Sequence, residues 1–385
     1  MLDRQPVDNS SSETTTQPID KSNNKPNIPI AFIAFLIIAI AFILFNVYSF
    51  LTPVSPIAGA TNAVVAKPIL LSAQNCVNCF PLDQAATQIF QNFDRVSYAD
   101  SHGKDLVTKY SIAKLPALII FDPLAQSNPQ LAQLLVKKGD AFVLEAPSAP
   151  FYDIASQSIK GIVTLTSITP LNCSKCTAPS NLADEFKQNK VSLVSQSFIE
   201  GSEKANELIA KYNLSFLPAF ILTHDLLEYP TFKRSWNTMG SIEPDGTLVM
   251  RLPLPPYKNI STQNIEGLVS VTYLSDTSCT ACYNVSVHRA VLKGLNVHIE
   301  NETFVDVSSP EGTAILAKYN VTAVPTILLS KEANVYFSIK QVWATVGSTE
   351  SDGVFVFRNL AKTPGLVYKN LTTGQILNST SPSAT

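Results

Sequence analysis

All six cysteines of this 385-residue chain stand in C-x-x-C pairs: Cys76 and Cys79 in CVNC, Cys173 and Cys176 in CSKC, Cys279 and Cys282 in CTAC. With so few cysteines, composition alone would put a second one three places on about one or two times in a hundred. Three for three is not chance. Two thiols at this spacing can close into a disulfide and reopen, and the chemistry this permits is thiol–disulfide exchange. One thiolate attacks a substrate disulfide, and its neighbour resolves the mixed disulfide. On that reading Cys76, Cys173 and Cys279 are the catalytic nucleophiles, and Cys79, Cys176 and Cys282 resolve. Lys175 lies inside CSKC, and a nearby cation favours the thiolate. The second pair is therefore expected to be the strongest oxidant.

Two duller chemistries compete. Permanent disulfides would stiffen the chain, but closing so short a loop restrains the unfolded state little. Structural zinc combines two such pairs, or one pair with two histidines. The four histidines, His102, His224, His288 and His298, are scattered. His288, six residues after Cys282, reads as a surface helical residue, so no metal is expected.

The elements that must position these pairs repeat three times. Each pair is followed by a lysine-tyrosine-proline signature: KYSIAKLP ending at Pro116, KYNLSFLP at Pro218 and KYNVTAVP at Pro325. The prolines lie 40, 45 and 46 residues after the first cysteine of their pair. In the second and third repeats a β-branched run (GIVTLT from Gly161, GLVSVTY from Gly267) predicts a strand before the pair. Helical stretches are expected over 178–188 and 285–295, then a second strand, then a helix ending at KYN, where the asparagine suits a C-terminal cap. Each proline opens a third strand. Trp236 and Trp343, the only tryptophans, lie 18 residues beyond their prolines in WNTMGSIEPDG and WATVGSTESDG, and read as fillers of a hydrophobic corner. Asp-Gly at 245–246 and 352–353 predicts a turn into a last strand. Both repeats close on Tyr-Lys-Asn, at Tyr257 and Tyr368. Arg234, Arg251 and Lys258 read as solvated surface. The first repeat is an abbreviated form, with a helix expected over 84–93 and Leu134 near the place of the missing tryptophan. The order of elements implies α/β units, each a central mixed sheet flanked by helices.

A strand running into C-x-x-C at a helix start, followed by a hydrophobic-Pro step into another strand, resembles the thioredoxin superfamily. Three such units in tandem are similar in layout to protein disulfide isomerases. The resemblance implies that Pro116, Pro218 and Pro325 are cis-prolines facing the dithiols and forming part of the substrate site. It also implies that Leu115, Leu217 and Val324 offer free backbone to an extended substrate. With the first cysteine at a helix N-terminus, unpaired N–H groups and the macrodipole would favour its thiolate. The chain departs from the family's usual pattern just before the first cysteine, where Asn75, Asn172 and Ser278 replace an aromatic residue. The inner dipeptides Val-Asn, Ser-Lys and Thr-Ala also differ from the familiar ones.

Composition bounds the rest. A charged fraction of 15% with net charge −2 gives no electrostatic reason to bind nucleic acid. Residues 1–27 are polar and read as a disordered tail. Residues 28–51 are almost wholly apolar and long enough for one transmembrane helix. Arg4, Lys21 and Lys25 precede that run and no further positive charge appears until Lys67, which places the tail in the cytoplasm and the bulk outside. A cleaved signal peptide ending near Ala58-Gly59-Ala60 is the competing reading. After a linker at 52–64, the expected domains are 65–157 (degenerate), 158–264 and 265–378, with a tail at 379–385. The expected function is a membrane-anchored, extracytoplasmic thiol–disulfide oxidoreductase or isomerase acting on protein disulfides. It would use no cofactor and would take electrons from another protein. The alternative is a non-catalytic scaffold or chaperone whose disulfides are structural.

Overall fold

The computed structural model describes residues 66–379, apart from residue 77 and residues 122–128. The expected amino-terminal tail, membrane helix and linker lie outside the described residues, as does the chain beyond residue 379. Among the described residues no helix is long and apolar enough to cross a membrane.

The first unit runs β1 (Ile69–Ser72), α1 (Leu82–Ile89), β2 (Asp94–Ser97), α2 (Ser101–Lys109), β3 (Lys114–Leu115), β4 (Ala117–Phe121), α3 (Pro129–Ala132), β5 (Val136–Lys138), β6 (Ala141–Glu145), β7 (Phe151–Asp153) and β8 (Ser158–Lys160). The second runs β9 (Ile162–Thr169), α4 (Pro179–Gln188), β10 (Ser192–Ile199), α5 (Glu203–Lys211), β11 (Phe216–Leu217), β12 (Ala219–Leu222), α6 (Pro230–Met239), β13 (Gly240–Ile242), β14 (Leu248–Met250), β15 (Tyr257–Asn259) and β16 (Ile265–Glu266). The third runs β17 (Val269–Ser275), α7 (Val287–Gly294), β18 (Ile299–Asp306), α8 (Pro310–Tyr319), β19 (Ala323–Val324), β20 (Thr326–Leu329), α9 (Phe337–Val346), β21 (Gly347–Thr349), β22 (Phe355–Phe357), β23 (Val367–Asn370) and β24 (Ile376–Asn378).

Three five-stranded sheets share one strand order, β2-β1-β4-β6-β5, β10-β9-β12-β14-β13 and β18-β17-β20-β22-β21. In each, the strand before the dithiol pairs in parallel with the next strand and antiparallel with the strand after the proline. The buried residues of β9 and β17 are shared between two cores, Val163 and Leu165 in one and Ile168 in the other, Val271 and Tyr273 in one and Leu274 in the other. In β12, Phe220 and Leu222 face a core with Phe186 of α4 and Trp236 of α6, while Ala219 and Ile221 face Ala205, Leu208 and Tyr212 around α5. Alternation along the strand feeds two cores at once.

The expected helices form within a few residues of their predicted ends. Ser202 and Ser309 cap α5 and α8, their hydroxyls accepting from the backbone N–H of Ala205 and Gly312. Asn213 and Asn320 stop the same helices in the left-handed region, at φ 48° and 47°.

Each unit also has a separate three-stranded sheet, β3-β7-β8, β11-β15-β16 or β19-β23-β24. Because β8 pairs with β7 and β16 with β15, the hairpins belong to the preceding units. The junctions therefore fall at Gly161 and Gly267, a few residues beyond the expected boundaries.

Helices α6 and α9 were not anticipated by the sequence patterns, and they carry the tryptophans. Both indoles are buried, and their N–H groups donate to Ser241 O at 3.1 Å and Ser348 O at 3.0 Å. They fill the corner as expected. In the first unit, Leu134 is 41% exposed, and the buried residue is Leu131 on α3.

Candidate dithiol sites

Each pair lies in a turn after the central parallel strand and is closed as a disulfide, Cys76–Cys79, Cys173–Cys176 and Cys279–Cys282. The residues that replace the usual aromatic are turn formers. Asn75 and Asn172 adopt φ 66° and 59°, a left-handed conformation that a short polar side chain tolerates. In the third unit Asp276 shapes the turn instead, accepting from Ser278 N at 2.9 Å through its carboxylate and from Cys279 N at 3.0 Å through its backbone.

The helices that follow begin only at Leu82, Pro179 and Val287. The expectation that the first cysteine sits at a helix N-terminus is therefore not met. Pro179 takes the first position of α4, where a missing N–H costs nothing, and Pro81 stands directly before α1, so both helices start beyond their pairs. A macrodipole fades within a turn, so it lends the first sulfurs little.

The peptide bonds before Pro116, Pro218 and Pro325 are cis, as the resemblance implied. Cys79 Sγ lies 3.9 Å from Leu115 O, and Cys282 Sγ lies 4.0 Å from Val324 O. The fold thus brings the dithiol against the residue preceding the proline from 36 and 42 positions away. Each unit is a thioredoxin-like domain.

The backbone before each proline is not free, however. Leu115 pairs with Tyr152, Leu217 with Lys258 and Val324 with Lys369, all in the hairpin that ends the same domain. The hairpins also accept hydrogen bonds from the residue just after each dithiol: Phe80 N to Pro150 O at 2.7 Å, Thr177 N to Pro256 O at 2.8 Å and Tyr283 N to Val367 O at 2.8 Å. They therefore span the site from the dithiol to the proline, across the backbone expected to receive substrate.

Charged contacts fasten this span in two domains. Lys258 Nζ binds Glu200 Oε1 at 2.9 Å, and Glu200 also accepts from Leu171 N beside the dithiol turn. Lys258 is thus an internal ion-pair partner and not solvated surface. Lys369 Nζ binds Asp276 Oδ2 at 2.6 Å and Ser278 Oγ at 3.3 Å, directly before Cys279. The ammonium beside Asp276 and the hydroxyl of Ser278 hold that carboxyl below its ordinary range. In the first domain Tyr152 occupies the corresponding place and stacks at a tilt on Tyr98, with ring centroids 5.9 Å apart. Glu200, Asp276 and the residue after each pair went unnoticed in the sequence. The repeated Tyr-Lys-Asn was visible, but as a closing element.

Lys175 is engaged as well. Its ammonium pairs with Glu300 of the third domain, so its charge is directed at a carboxylate. The expected ranking of the second pair as the strongest oxidant loses that support.

The third domain differs in burial. Cys279 is only 8% exposed. Behind its partner, Tyr283 OH donates to Pro325 O at 2.9 Å and lies 2.9 Å from His288 Nε2. With the phenol proton on Pro325, the imidazole Nε2–H is the donor to the phenol oxygen. His288 is buried against Phe357 and is no surface residue; desolvation pushes its pKa down to about 4.

No protein-family model matches the chain, and no curated protein does. Among solved structures, the alkylhydroperoxide reductase AhpF of Enterococcus faecalis aligns at 14% identity over 43% of this chain and 80% of its own, with a TM-score of 0.14. Human ERp44 aligns at 13% over 73% and 80%, with a TM-score of 0.15. Full-length ERdj5 aligns at 11% over 70% and 42%, with a TM-score of 0.14. At these values the likenesses add nothing to what strand order, dithiol and cis-proline already say about the fold.

Proposed function

We propose that the protein is a membrane-anchored thiol–disulfide oxidoreductase or isomerase that acts on protein disulfides outside the cytoplasm. The observation that carries this reading is the placement of a C-x-x-C pair against the residue before a cis-proline, with Cys79 Sγ 3.9 Å from Leu115 O and Cys282 Sγ 4.0 Å from Val324 O. Closing a four-residue loop contributes about 2 kcal/mol. A single buried leucine or phenylalanine contributes about 1.5–3 kcal/mol, and each domain buries many. Reduced, a pair would attack a partner disulfide; one sulfur forms the mixed disulfide, and the second displaces the partner as a dithiol. Two electrons and two protons pass to the partner. The pair is left as a disulfide, which another protein must rereduce. The apolar run at 28–51 and the positive residues before it support the anchor and the orientation.

One observation favours the second reading, a scaffold with structural disulfides: Cys279 is buried, and the hairpins pair with the backbone before each cis-proline. An insulin-reduction assay and a scrambled-substrate refolding assay on the full chain, recovered in the membrane fraction, separate the two. Activity is expected and should vanish when all six cysteines become serine. Full activity in that variant would overturn the redox reading.

A further inference from the structure

We propose that the terminal hairpin of each domain is a strap that closes its own dithiol, and that Lys258 and Lys369 are the latches of the second and third straps. The inference concerns regulation of the site just described and rests on the dithiols being able to exchange. In all three domains one hairpin makes backbone pairs with the residue before the cis-proline and accepts a hydrogen bond from the residue after the dithiol. In the second domain the clasp is doubled, since Thr177 Oγ1 also donates to Pro255 O at 2.9 Å. A polypeptide seeking the backbone beside the dithiol must displace this strand.

The latches grade the three sites. The first strap has Tyr152 at the latch position and, among the described residues, no ion pair there. The second is held by Lys258–Glu200, with side chains 15% and 19% exposed. The third is held by Lys369–Asp276, 25% and 10% exposed, and Asp276 itself shapes the turn carrying Cys279. The domain whose latch is built into the dithiol turn is also the one whose first cysteine is buried. Removing one partner of such a shielded pair leaves the other charge poorly compensated, so a latch substitution favours the open strap.

The test uses the full chain with dithiothreitol as reductant. Its thiolate attacks one sulfur of a pair and releases the other as a thiolate. Its second thiol then displaces the protein sulfur, leaving a protein dithiol and the cyclic oxidised reagent. Aliquots quenched by alkylation and read by peptide mass spectrometry give a separate reduction rate for each pair. In the wild type the Cys76–Cys79 pair should reduce fastest and Cys279–Cys282 slowest. Lys258→Met should speed reduction of Cys173–Cys176 alone, and Lys369→Met that of Cys279–Cys282 alone, each by about fivefold or more. Lys369→Arg should restore the slow rate. Faster hydrogen exchange at the amides of Thr177 and Tyr283 in the methionine variants, with unchanged exchange in the central strands, separates strap opening from unfolding. Unchanged reduction rates in both methionine variants, or equal acceleration of all three pairs, would overturn the strap. The rates do not depend on any protein substrate. A chain that reduces as expected yet shows no insulin or refolding activity would therefore count against the oxidoreductase reading and leave the strap standing.

Discussion

His288 shows how far a single residue can depart from its sequence pattern. In α7 the valines at 287 and 291 look like the buried stripe, with histidine, arginine and lysine outside. The structure inverts this: Val287 and Val291 are exposed, while His288 and Leu292 face the core. The helix turns that way because the imidazole meets Tyr283 OH and, through it, the carbonyl of Pro325, a contact that no local periodicity encodes. Burial favours the neutral ring, so the folded pKa, about 4, lies below the ordinary value of 6.5. A group with a depressed histidine pKa contributes its stability fully above the unfolded value and loses it as pH falls through the folded value. The third domain should therefore lose up to about 3 kcal/mol between pH 6.5 and 4. Hydrogen exchange of peptides from 267–379, followed across that range, should show the loss. His288→Gln keeps a donor near the Nε2 position but cannot charge, so its profile should lose the His288 share of the slope and keep only the fall, below about pH 5, due to carboxyls held low such as Asp276. An equal slope in that variant would refute the assignment to His288.

At the scale of elements, the β-branched runs before the second and third pairs and the apolar residues after each proline were enough to place the central strands. The helices carrying Trp236 and Trp343 were not legible, although their motif was plain. Its logic is tertiary. Gly240 and Gly347 follow the tryptophan by four residues in extended backbone. A Cβ there would lie 2.2 Å from Val249 O and 2.1 Å from Val356 O, with the indole pressing from the other side. The serine, glutamate and arginine of the motif form one bracket, with Arg251 on Glu243 and Ser241, and Arg358 on Glu350 and Ser348. Each arginine also donates to the asparagine that ends the preceding helix. Gly240→Ala and Gly347→Ala should each cost about 1–3 kcal/mol by overpacking, read as a lower urea midpoint at unchanged slope. A cost below about 0.5 kcal/mol would mean that the glycine is not there for want of space.

Across the whole molecule, the domains meet without linkers, and the junction glycines were visible in the sequence only as the first residues of two strands. Their role depends on contacts from both sides. Gly161 follows the first strap directly, and its φ of 88° is one that other residues rarely adopt. A Cβ on it would lie 2.2 Å from Ala149 Cβ, where the first strap begins, while its N–H and C=O are held by Asp225 Oδ1 at 2.7 Å and Tyr229 OH at 2.8 Å in the second domain. Gly267 repeats the arrangement against Pro255, with Tyr336 OH on its carbonyl at 2.6 Å. Each junction ties the strap of one domain to the core of the next, so neighbouring domains share a structural element. Gly161→Ala should therefore destabilise the first strap and the second core together, by at least about 2 kcal/mol from left-handed strain and crowding. Hydrogen exchange should rise both in peptides from 149–160 and in those around Asp225 and Tyr229, while peptides from 267–379 keep their protection. A rise confined to one side of residue 161 would show that the junction is a simple tether and that the domains open independently.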